Sequence, residues 1–121
     1  MFFAAMNRPK RLIYFSFINH VSVEELQRCR EDLKTMLAEM PAGFRVLADL
    51  SNLKTMDVNC APELGKVMEL FDQKGVGMVV RVIPDATKDI GLNILSVFHY
   101  RRRPQTSVCK TMEEAAELLS L

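Results

Sequence analysis

No charge of one sign dominates this chain. Sixteen lysines and arginines face fifteen aspartates and glutamates, a formal net charge of +1 over 121 residues. That balance argues against broad electrostatic capture of nucleic acid or of an anionic membrane, although a local patch can still form. Long hydrophobic runs are missing too: no stretch approaches the roughly 20 apolar residues of a membrane span, so no membrane insertion is expected. Met1 to Met6 is apolar but too short for a signal core, and Arg8, Lys10 and Arg11 follow it where a secretory signal needs them in front. Cysteine is scarce and odd in number. Cys29, Cys60 and Cys109 lie far apart with no CxxC pairing, which points to a reducing compartment and to thiols used as small apolar side chains. A cytoplasmic protein is expected. Internal repeats, low-complexity tracts and Gly/Ser linkers are absent, so residues 1–121 read as a single domain, long enough to bury about two-thirds of its unfolded surface.

The usual marks of catalysis and cofactor binding are also missing. The chain has no GxGxxG or Walker A pattern, and Gly75-Val76-Gly77 precedes a strand, where it cannot set a phosphate on a helix N-terminus. His20 and His99 are isolated, without the HxxxH or HExxH spacing that holds a metal, and His99 sits where a helix end favours a cation. No serine or cysteine stands in a GxSxG elbow. An enzyme is not expected, nor a metal or cofactor.

What is present is an alternation of strand and helix patterns. Arg11 to Phe17 is β-branched and aromatic and predicts a strand. Ser22-Val23-Glu24-Glu25 has the form of a capping box. Leu26, Cys29, Leu33, Met36, Leu37 and Met40 follow on one helical face, stopped by Pro41 and Gly43. Phe44 to Leu50 predicts a strand buried on both faces, followed by a polar turn through Ser51, Asn52, Lys54 and Thr55. Asn59 or Asp57 could cap the next helix, whose inner face carries Leu64, Val67, Met68 and Phe71 and which Gly75 ends. Met78 to Ile83 predicts another strand. Ile90, Ile94, Val97 and Phe98 then repeat at helical spacing up to Arg101-Arg102-Arg103-Pro104. Thr106 to Lys110 predicts a short strand, and Thr111-Met112-Glu113-Glu114 a second capping box before Ala115, Ala116, Leu118 and Leu119. The order β-α-β-α-β-α-β-α implies an α/β fold with a mostly parallel sheet of four to five strands covered by four helices. Phe2 to Met6 could add an antiparallel edge strand.

Asp49 and Asp85 each close a strand, on the sheet edge where open α/β folds bind ligands. A phosphoryl-accepting receiver would also need carboxylates after the first strand, where Ser16, Phe17 and Ile18 stand instead. The bland reading of Asp49, Asp57 and Asp85 is turns and caps. Arg101 to Arg103 is the one dense charge run, able to grip an oxyanion or simply to form a solvated loop. The eight methionines suit core filling, with Met36, Met40 and Met68 on inner faces.

Val46-Leu47-Ala48-Asp49-Leu50-Ser51, then Met56-Asp57 and a helix ending at Lys74-Gly75, resembles the STAS domain of anti-sigma factor antagonists, stressosome proteins and sulfate-transporter tails. The family pattern is a strand ending in D-L-S, a short gap, I-D-S-S-G-L at a helix start, K-G before a strand and an alanine-rich last helix. The resemblance runs from about Lys10 to Leu121. It implies that Asp57 matches the motif aspartate and Asn59 the serine that kinases phosphorylate, with Val58 and Cys60 replacing the flanking serine and glycine. A carboxamide has no hydroxyl to accept a phosphoryl group, so the family's switch cannot operate at Asn59. The resemblance therefore implies a non-enzymatic protein-interaction module whose contact face holds Asp57, Val58, Asn59, Cys60 and Ser51. Its implied partner is an anti-sigma factor, serine kinase or stressosome-like protein, with no nucleic acid, and an exposed edge strand could allow a homodimer. The competing expectation is a small-molecule or lipid-binding domain that uses an apolar cleft between helix and sheet.

Overall fold

The computed structural model describes residues 1–85 and 90–121. Eleven elements follow one another: β1 (Phe2–Asn7), β2 (Leu12–Phe17), β3 (Asn19–Val21), α1 (Val23–Leu37), β4 (Arg45–Asp49), β5 (Leu53–Met56), α2 (Cys60–Gln73), β6 (Met78–Val82), α3 (Ile90–His99), β7 (Gln105–Cys109) and α4 (Met112–Leu118). The main sheet has the order β1-β2-β4-β6-β7. β1 runs antiparallel to β2 in the register Phe2 to Phe17, and the remaining neighbours are parallel. The apolar start of the chain is therefore the antiparallel edge strand.

The sheet is apolar on both faces because its strands alternate. Ile13, Phe15 and Phe17 of β2, Val46 and Ala48 of β4 and Val79 of β6 pack toward α1 and α2. Leu12, Leu47, Val80 and Val82 point the other way and are covered by Ala115 and Leu119 at α4. Phe71 of α2 stacks on Phe15 at 6.2 Å and meets Phe44 edge-on at 6.2 Å, locking helix to sheet. α1 starts at the expected capping box: Ser22 accepts from the Glu25 amide while the Glu25 carboxylate accepts from the Ser22 amide. α2 ends on Gly75 at φ +86°, with the Gly75 amide bonded to Asp72 O and the Val76 amide to Phe71 O. A left-handed residue is needed there, and glycine meets the need without strain.

Three local expectations change. The polar stretch after β4 is a turn only at Ser51-Asn52; Leu53–Met56 is a strand, paired in parallel with β3 in a separate two-stranded sheet. Neither strand is long or alternating enough to announce itself, and each exists because the other is there. The Ile94, Val97 and Phe98 repeat lies on the uncovered side of α3, with Val97 and Phe98 79% and 73% exposed. Leu92 and Leu95 pack against the core in their place. Finally, α4 keeps the Thr111 cap on the Glu114 amide, but the Glu114 carboxylate returns to the Lys110 amide and not to Thr111, so the second box is only half formed.

Candidate functional site

The segment singled out by the sequence lies where β4, β5 and α2 meet. Asp49 ends β4 nearly buried, and its Oδ1 accepts from the Ser51 amide at 3.0 Å and from the Ser51 hydroxyl. The Tyr14 hydroxyl donates to Asp49 Oδ2 at 3.4 Å. Burial holds the Tyr14 phenol above its ordinary pKa, and the Asp49 charge adds to that. Asp49 is thus a turn-closing carboxylate with both oxygens engaged. Ser51 spends its hydroxyl on that turn, and Asn52 together with the four residues of β5, on the order of 13 Å of extended chain, separates it from Asp57.

Asp57, Val58 and Asn59 form the exposed tip that leads into α2. Asp57 is fixed from two directions. Its amide donates to Val21 O at 3.2 Å, and its carboxylate meets His20 Nε2 at 3.0 Å, while His20 Nδ1 lies 2.8 Å from Thr55 Oγ1. The turn closes with the Cys60 amide on Asp57 O at 2.9 Å. Asn59 occupies the N-cap position at φ −80°, ψ 1°, outside the extended region a capping side chain requires, and makes no side-chain cap bond. Its carboxamide is left for solvent or a partner. Val58 is 91% exposed. Cys60, by contrast, is fully buried, with its Sγ 3.7 Å from Val21 O. Burial pushes the Cys60 thiol up, with Asp57 adding to the effect, so it supports the tip from beneath as an inert group.

His20 and Thr55 belong to this arrangement, and sequence reasoning missed them. Nothing local marks them: His20 meets Thr55, and through its other nitrogen Asp57, only because β3 pairs with β5 across 35 residues of chain. Among the described residues no group of histidines, cysteines and carboxylates is placed to hold a metal ion. No described helix is long and apolar enough to cross a membrane.

A second feature lies between α2, α3 and the sheet. A cavity of about 180 Å³ is lined by Phe15, Phe17, Leu53, Leu64, Phe71 and Leu92, among others, and Arg81 and Tyr100 also line it. Arg81 is 3% exposed on β6 and donates to Ser96 Oγ at 3.2 Å and to Asn93 Oδ1 at 3.1 Å, both on α3. α3 is held to α2 from its other end. His99 Nδ1 lies 2.8 Å from Glu69 Oε1, and the ring rests directly on Gly65. The Arg102 amide bonds to Asp72 Oδ1 at 3.0 Å, so the middle of the arginine run is tied down through its backbone. Lys88, near the start of α3, lies outside the described residues.

The strand order and the placement of α2 have solved counterparts. A DUF3478-family protein from Shewanella loihica PV-4, described as having a SpoIIAA-like fold, superposes with a TM-score of 0.76 at 13% identity, covering 98% of this chain and 93% of that one. The anti-sigma factor antagonist SpoIIAA in its unphosphorylated form superposes with a TM-score of 0.65 at 16% identity, covering 99% and 98%. The chain has the SpoIIAA-like, STAS-type fold. No family model matches the sequence, and no curated protein is significantly similar to it. At such identities the likeness fixes the fold and leaves the chemistry of the tip to its own residues.

Proposed function

We propose that this chain is a non-enzymatic, STAS-type regulatory domain that binds a protein partner through the tip of α2. Val58 carries the reading: an almost fully exposed apolar side chain, set between Asp57 and Asn59 at a helix N-terminus. Such a residue serves a contact better than it serves stability. Asp57, Val58 and Asn59 form the contact face with Cys60 as its floor; Ser51, the remaining residue of the expected face, is held in the Asp49 turn. Asn59 stands where the resemblance puts a phosphoacceptor and cannot be phosphorylated. The face then stays in one state, equivalent to an unphosphorylated switch. The partner class that fits is an anti-sigma factor, a serine kinase or a stressosome-like protein, and a cytoplasmic location goes with it.

The test compares the wild type with Asn59→Glu and Val58→Glu in affinity capture from native lysate, followed by titration of the purified partner. A charge at the tip mimics part of what a phosphate would do to a docking surface. Both variants should lose a partner of that class, whereas Glu117→Ala, on α4 across the sheet, should retain it. Equal capture by all four proteins removes the tip as the contact face.

A further inference from the structure

The cavity between α2, α3 and the sheet is too large to be a packing fault. Packed interiors hold few spaces bigger than a water molecule. This one measures about 180 Å³, where a single water needs roughly 10–15 Å³. Its walls divide into two groups. Phe15, Phe17, Val67 and Phe71 are buried, whereas Leu50, Leu53, Met56, Leu64 and Leu92 are only partly so. These five lining residues reach solvent and give the cavity an apolar rim. Leu50 directly follows β4, so the rim lies past the carboxyl end of a parallel strand, where open α/β sheets take ligands. Two polar side chains also line the cavity, Arg81 and Tyr100. The Arg81 guanidinium is committed to Ser96 and Asn93 and holds α3 in place. Burial keeps the Tyr100 phenol above its ordinary pKa, so that wall stays uncharged at working pH. A water needs two to four polar partners, which walls of leucine, valine and phenylalanine do not supply, while apolar atoms gain contacts on every side. A carboxylate would lose its hydration there and meet only a guanidinium already engaged.

We propose that this cavity is a binding site for a small, neutral, apolar molecule about the size of one ring, admitted past the leucine and methionine rim. Size sets the limit. A cavity of about 150 Å³ lined by comparable side chains admits benzene, so this one takes a ring with a short substituent and excludes a two-chain lipid. Phe15, Phe17 and Phe71 offer ring faces and edges to an aromatic guest, the contacts that aromatic pairs favour. Asp57, Val58 and Asn59 are not among the lining residues, so failure of this site would leave the interaction reading standing.

The experiment is a titration of the methyl-labelled full chain with toluene and, separately, with benzoate, followed by nuclear magnetic resonance. Toluene should bind saturably and one to one. It should shift the methyls of Leu53, Val67 and Leu92 and leave those of Leu12 and Leu119, on the opposite face of the sheet, in place. Benzoate carries the same ring with a charge and should bind at least about tenfold more weakly. Ala48→Leu extends a buried lining side chain and should abolish the toluene shifts. Leu64→Trp fills the cavity from its rim and should do the same, which keeps the test open if Ala48→Leu does not fold. The proposal is overturned if toluene does not saturate, if its shifts fall outside the cavity, if benzoate binds as tightly as toluene, or if a folded variant binds toluene as the wild type does.

Discussion

Gly65 gives the sharpest prediction. It sits in the interior of α2, where replacing glycine by alanine ordinarily stabilises a helix by about 0.8–1 kcal/mol. Here an added Cβ would lie 2.5 Å from His99 Nε2 and 2.8 Å from His99 Cε1. The atoms it meets are the far end of a side chain, so the ring can swing away. Doing so gives up its 2.8 Å contact with Glu69, a partly exposed pair worth roughly 0.2–1 kcal/mol, together with its packing on the helix. The two effects nearly cancel, and Gly65→Ala alone should leave stability within about 1 kcal/mol of wild type. In a His99→Ala background the clash is gone, and the same substitution should stabilise by the full helical increment of about 1 kcal/mol. Urea unfolding of the four proteins, followed by far-UV circular dichroism, measures the coupling directly. If Gly65→Ala raised the unfolding free energy equally in both backgrounds, the His99 ring would not rest on Gly65, and the described seating of α3 on α2 would be wrong.

Two further outcomes follow from buried titratable groups. Burial pushes the Cys29 thiol up to about 12, with Asp32 adding to the effect, and also raises Cys60 and Cys109. None of the three should react with a thiol reagent at pH 8 until the chain is unfolded, so rapid labelling of the native protein would contradict their burial. Glu63 of α2 is desolvated, which alone would raise its pKa, yet Lys66, Gln27 and Arg30 together hold it below the ordinary 4.5. A lowered folded value means that ionised Glu63 contributes stability above pH 4.5, lost as pH falls through the folded value. Glu63→Gln should flatten that part of the acid limb, and identical acid limbs for the two proteins would refute the lowered folded value that Lys66, Gln27 and Arg30 together produce.

The capping box at Ser22, the alternating apolar residues of β2, β4 and β6, and the stop at Gly75 are all written into short stretches of chain. That is why the α/β order and the antiparallel β1 could be expected from sequence: capping, periodicity and turn chemistry act over a few residues. β3 and β5 were not legible, because three and four residues become strands only by pairing with each other, and the His20–Asp57 contact depends on that pairing. Asn59 could be recognised as a helix start, but its backbone angles, and hence the freedom of its carboxamide, are set by the turn from Asp57 to Cys60. For α3, periodicity marked an apolar face without saying which way it points. That choice was made by Arg81 reaching Ser96 and Asn93 at one end and by His99 settling on Gly65 at the other. Local sequence determined which elements exist; contacts between residues far apart in the chain decided what α3 covers and which groups remain exposed at the tip of α2.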